Sequence, residues 1–215
     1  MRKQGFTLLE LMMSMSVMLI VSMLGYYVLK ASTDSAELAK TKDEVQACLR
    51  DTLTALTADV REAYTQRTVN PVPPVAPAGA QAIAVGTGGT SLVFYLPVPT
   101  GDANFIRSSS AITIAFQNED GASGGTVNAV LDPGEDQNHD RVLNRRLIRT
   151  QNGQTTALGA ANDLSQATFV LLKNQNSRDD NMTSLQVTLE ATKMYGPAHK
   201  KLCRERLQGV IDLQN

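Results

Sequence analysis

One carboxylate stands inside an otherwise apolar run. From Phe6 to Leu29 the chain reads FTLLELMMSMSVMLIVSMLGYYVL, and Glu10 is its sole charge. An acidic side chain at the centre of a membrane helix costs about 2.5–3.5 kcal/mol, and less towards the helix end. It is tolerated best beside a cation. Cleavage between Gly5 and Phe6 would supply one, because the new α-amino group of Phe6 would lie at membrane depth. Glu10 is about one helical turn along from it. Two copies staggered along their axes would pair one Glu10 with the neighbour's Phe6 amine. Charges about 4 Å apart attract by roughly 4 kcal/mol at an effective dielectric of about 20, before desolvation is subtracted. On that supposition the chemistry at this end is a cut before Phe6 and the registration of helices by charge.

A second group of residues suits calcium. In LDPGEDQNHDRVLN, Asp136, Asn138, Asp140 and Asn144 follow the spacing D-x-N-x-D-x-x-x-N, and the main-chain carbonyl of Val142 would add a ligand. Alternate residues of a tight loop turn their oxygens inward, and calcium takes six to eight oxygens. The spacing is that of an EF-hand or dockerin-like loop, with two departures. Arg141 stands where the turn glycine belongs, and Leu147 stands where a bidentate acid is expected. The competing reading is a solvated acidic hairpin loop whose Asx side chains cap their own backbone.

The remaining reactive residues are few. Cys48 and Cys203 could pair outside the cytoplasm, or remain two separate thiols. His139 is a lone loop histidine. His199 lies in the basic stretch GPAHKKLCRER, which reads as a solvated charged turn or as a contact for nucleic acid or anionic lipid. No P-loop, G-x-S-x-G or paired-histidine zinc motif is present, so a structural rather than an enzymatic role is expected. The net charge of −1 argues against a generally cationic surface, and nucleic acid is not an expected partner.

These residues need elements to position them. From Phe6 to Leu29 a helix would rise roughly 36 Å, past a hydrocarbon core of about 30 Å. Arg2 and Lys3 precede it, which keeps the N-terminus in the cytoplasm and exports everything after Lys30. A secretory signal would have a shorter apolar region and a better cleavage site than YYVLKAST. An uncut signal anchor explains the length but not Glu10.

From Ala31 to Arg67 neither proline nor glycine occurs. Leu38, Val45, Leu49, Leu53, Leu56, Val60 and Ala63 fall on one helical stripe, expected to pack on a β-sheet rather than in a coiled coil. Together the two helical stretches would form a rod on the order of 90 Å long. The stretch TVNPVPPVAPAGAQ then reads as an extended connector rather than a proline-rich ligand. Period-2 runs follow at 91–97, 111–117, 141–150, 166–172 and 184–191, with a last one at GVIDL; they predict antiparallel strands with one wet face.

At this point the residues carry a resemblance. Gly5-Phe6-Thr7-Leu8-Leu9-Glu10 followed by a long apolar helix resembles the class III signal of type IV prepilins and type II secretion pseudopilins. The resemblance implies a prepilin peptidase that cuts after Gly5 and methylates the amine of Phe6. It also implies that Glu10 serves assembly with other pilin or pseudopilin subunits. Many major pilins carry a proline in this helix; here none precedes Pro71, and Gly25 is the weak point. The strand-rich tail is similar, in pattern alone, to minor pilins and minor pseudopilins.

The expected organisation is an α+β, pilin-like chain. It comprises a cleaved leader (1–5), a membrane and filament-core helix (6–29), an amphipathic helix (30–67), a linker (68–90) and a β-rich head (91–215). The expected function is that of a minor pilin or pseudopilin in a pilus or secretion filament. The alternative is a calcium-dependent adhesin or DNA-uptake module on the same anchor. The expected place is the inner membrane, single-pass with the head outside, and then a periplasmic or surface filament.

Overall fold

The computed structural model describes residues 7–63, 83–99, 105–120, 125–136, 143, 145–159, 163–173, 182–196 and 201–212. The chain divides into two compact units, 1–40 and 41–215. Helix α1 spans Leu8–Arg61. It is followed by β1 (Ile83–Val85), a 3-10 turn (Thr87–Gly89), β2 (Ser91–Pro99), β3 (Phe105–Asn118) and β4 (Arg145–Gln151). After these come β5 (Gln154–Leu158), β6 (Leu164–Lys173), β7 (Met182–Tyr195) and β8 (Lys201–Asp212).

In the first unit, α1 passes through Gly25 without a break, and a Cβ there would meet nothing within 4 Å beyond its own stretch of helix backbone. The apolar residues from Leu8 to Leu29 are exposed on every face. Two serines within this run bond back to the helix. Ser14 Oγ donates to the Leu11 carbonyl at 2.9 Å, and Ser16 Oγ to the Met12 carbonyl at 2.8 Å. A serine bonded back to its own helix presents little unsatisfied polarity to an apolar medium.

In the second unit, the strands form one antiparallel sheet in the order β1-β2-β3-β4-β6-β7-β8, with β5 paired to β4. The expected alternation is present. Leu92 and Phe94 of β2 oppose Ile114 and Ile112 of β3, and all four are buried. Phe169 opposes Val187 and Leu185 opposes Ile211, again on the covered face. Val45, Leu49, Leu56 and Val60 of α1 join these side chains in one core. One stripe of the helix thus covers one face of the sheet, as the period-3.6 and period-2 patterns require.

Several expectations are corrected. Leu38 is 39% exposed and outside the core, whereas Thr41, Cys48 and Thr52 share the buried stripe. Small polar residues can lie there because the helix approaches the sheet closely. The helix stops at Arg61 rather than Arg67, where Ala63 N–H closes a tight turn on the Val60 carbonyl at 3.0 Å. β1 and the 3-10 turn occupy part of the stretch read as linker. β3 begins at Phe105, ahead of the expected start at 111.

β5 was not expected at all. It pairs with β4 through a two-residue loop, Asn152-Gly153, with φ of 53° and 76°. Positive φ at both loop residues is the signature of a type I′ hairpin, and Asn-Gly is its strongest sequence cue. The stretch read as a charged turn at 201–206 is the first half of β8. Its register with β7 tolerates Arg204 and Arg206 because both are exposed and alternate with Cys203, Glu205 and Leu207 on the helix side.

Candidate functional site

The N-terminal segment is built on two residues. Thr7 precedes the first helical residue. Its N–H and its Oγ1 donate to Glu10 Oε2 at 3.1 and 3.0 Å, and Glu10 N–H donates to Thr7 Oγ1 at 3.3 Å. This is a capping box: each side chain satisfies a backbone donor that the first helical turn leaves open. The pattern T-x-x-E before an apolar run was visible in the sequence, yet Thr7 was not singled out there. Glu10 therefore has a partner within its own chain. Gly5 and Phe6, the expected cleavage and methylation residues, lie outside the described residues.

Beyond the cap, α1 offers an apolar surface with no polar face from Leu8 to Leu29. It is long and apolar enough to cross a membrane by length and composition. A helix apolar on all sides is stable only in lipid or among other apolar helices. Residues 1–26 match the family model of the prokaryotic N-terminal methylation motif. The chain carries a type IV prepilin-type signal. No curated protein and no solved structure matches the chain. The prepilin-type signal implies processing by a prepilin peptidase and assembly with other pilin-type subunits. With the exposed helix behind it, the prepilin-type segment fits a membrane-anchored, pilin-like chain.

The calcium candidates are largely outside what the structure describes. Asp136 is half-buried; Asn138, Asp140, Val142 and Asn144 lie outside the described residues, as do His139 and His199. The segment just before them is ordered by its own acids. Asp120 accepts from the N–H groups of Asn128 and Ala129 at 3.0 and 2.5 Å, and Glu135 Oε2 accepts from Asp132 N–H at 2.9 Å. Asn128 donates to Asp132 Oδ2 at 3.0 Å. Asp120 and Glu135 are buried, and these backbone donors take the place of water. Among the described residues, no three His, Cys, Asp or Glu side chains gather to hold a metal ion.

Cys48 and Cys203 are both buried and both free, so the pairing considered from the sequence is not formed. Burial pushes the Cys48 thiol up to about 11, helped by the neighbouring Asp163 carboxylate. Burial also raises Cys203, with Glu205 adding to it and Lys42 opposing. The two thiols have different neighbours. Cys203 stands opposite Lys193 in the β7–β8 register, and Lys193 Nζ reaches Glu44 at 3.1 Å and Asp163 at 3.7 Å. Cys48 lies against Asp163 itself.

Further ion pairs tie α1 to the sheet. Lys42 meets Glu205 at 3.2 Å and Arg149 meets Asp59 at 3.1 Å. The second contact is a close ion pair whose two facing atoms, Asp59 Oδ2 and Arg149 Nε, are both shut off from water. Burial therefore outweighs the attraction of Arg149 and raises the Asp59 carboxyl above its ordinary value. None of these pairs could be read from the sequence, because each joins residues far apart in the chain.

Proposed function

We propose that the chain is a minor pilin or pseudopilin, a structural subunit that initiates, caps or decorates a pilus or secretion filament. The prepilin-type signal ahead of a helix that exposes apolar residues on every face carries this reading. Maturation would cut after Gly5 and methylate the Phe6 amine in the inner membrane. The head would stand outside the cytoplasm, and α1 would then leave lipid for the apolar core of a fibre. That step exchanges one apolar surrounding for another, so it demands no exposure of the helix to water.

The test is the mature N-terminus of protein taken from the native cell. Mass spectrometry should find N-methylated Phe6, and a bulky residue in place of Gly5 should leave the precursor uncut. A variant that still matures at Phe6, or loss of the whole apolar helix, overturns the reading. A calcium-binding role for the 136–144 loop rests on its sequence spacing. Calcium titration of the full chain, followed by limited proteolysis, tests it; unchanged cleavage discards it.

A further inference from the structure

The sheet ends unequally. β1 closes one side with three residues, whereas β8 closes the other with twelve. Among the described residues nothing pairs with the outer edge of β8. An edge strand presents a row of main-chain donors and acceptors, and proteins usually blunt long edges with proline, bulges, brevity or charged side chains; of these, β8 carries the charged side chains Lys201, Arg204, Glu205 and Arg206. Lys201–Asp212 contains no proline, and its register with β7 runs from Lys201 to Asp212 without a shift. The one acid turned towards α1, Glu205, is neutralised by Lys42 at 3.2 Å.

Side chains on both faces of this edge specify what it would accept. On the helix-covered face, Leu207 of β8 and Leu53 of α1 are half-buried apolar residues at the border of the core. Gly209 leaves room for Leu53: a Cβ there would come within 3.0 Å of Leu53 Cδ2. A strand added outside β8 would lay its own alternate residues over this unfinished border. On the other face, Arg204 pairs with Glu190, and Glu190 stands opposite Arg206 in the register. In the registers that set Arg204 or Arg206 opposite another arginine, a second copy of β8 would place like charges face to face, which is destabilising.

We propose that the outer edge of β8 is a strand-addition site for an extended segment of a partner protein. The segment alternates apolar residues, turned to Leu53 and Leu207, with acids turned to Arg204 and Arg206. Main-chain hydrogen bonds would supply binding and the alternate side chains selectivity. The inference concerns residues 41–215 and does not depend on the filament reading.

Hydrogen exchange on the full chain in phospholipid nanodiscs tests it. The probe is an acetylated, amidated eight-residue peptide in which valines alternate with threonine, glutamate, glutamate and threonine. Saturating peptide should slow exchange across Lys201–Asp212 by about tenfold. The same peptide N-methylated at alternate amides, or with lysines for glutamates, should not. Arg204→Glu with Arg206→Glu should exchange the preference, so that the lysine peptide protects and the glutamate peptide does not. No protection by the glutamate peptide overturns the proposal, as does equal protection by either control. If the double variant does not fold, the three peptides on the wild-type chain decide.

Discussion

Gly159 sits with its backbone against the side of Thr52. A Cβ on Gly159 would fall 2.5 Å from Thr52 Oγ1 and 3.1 Å from Thr52 Cα, and φ at Gly159 is +81°. This is a point where helix and sheet approach too closely for any side chain. Asn152-Gly153 offers an internal comparison, since Gly153 has φ of +76° but no neighbour within 4 Å of its Cβ position. Alanine at Gly153 carries the left-handed penalty alone, about 1–2 kcal/mol. Alanine at Gly159 adds a collision with helix backbone, which the helix can relieve only by moving off the sheet. Urea unfolding should therefore place Gly159→Ala below Gly153→Ala by at least about 1 kcal/mol. Equal stabilities would show that the helix gives way freely here.

The Thr7–Glu10 box separates two roles of the same carboxylate. Glu10→Gln keeps a side chain able to close the box but removes the charge, whereas Glu10→Ala removes both. If Glu10 registers subunits by charge, both variants should insert in the membrane and both should be lost from sheared fibres. If the cap is what matters, the glutamine variant should enter fibres normally. Thr7→Ala, which loses about 1 kcal/mol of capping, should lower incorporation less than either change at Glu10 under the charge model.

Asp59 predicts a pH dependence with a definite sign. Its folded pKa is raised, chiefly by burial, so the native state holds this proton to higher pH than the unfolded chain does. The contribution of Asp59 to stability is thus fully present below the unfolded value and falls as pH rises through the window up to the folded value. Asp59→Asn should flatten the stability profile in the window that opens above the ordinary carboxyl value, measured as the urea midpoint at successive pH values. An unchanged slope would mean that Arg149 compensates fully in solution.

The thiols should be silent. With Cys48 pushed up to about 11, on the order of one thiol in a thousand is ionised at pH 8, and burial shields it further. Iodoacetamide at pH 8 should leave Cys48 and Cys203 unlabelled in the native chain and label both in urea. Intact mass without reductant should show two free thiols. A mass lower by two hydrogens would establish the disulfide that the structure does not form.

The reach of the sequence differs between the two ends of the chain. At the N-terminus, local chemistry decides everything: basic residues, a glycine before an aromatic, one carboxylate and an unbroken apolar helix lie next to each other. The residues involved are within a turn or two, so their spacing already states their geometry. The Thr7–Glu10 cap belongs to this class and was legible as T-x-x-E. In the head, period-2 runs named β2, β3, β6 and β7, because each strand keeps one face on the core. The Asn-Gly hairpin was equally local and equally readable, although β5 itself, QTTAL, has four exposed residues and no apolar alternation to announce it.

What the tertiary structure alone decided are the contacts that cross long stretches of chain. Lys193 with Glu44, Arg149 with Asp59, and Thr52 beneath Gly159 depend on which strand lies beside which. So do the different neighbours of Cys48 and Cys203, and so does the fact that β8 forms an edge. A strand's own residues specify which face is apolar, and alternation is enough for that. They do not specify its neighbours, because main-chain hydrogen bonds are the same for every pairing and the choice rests on how the side chains of distant segments pack together.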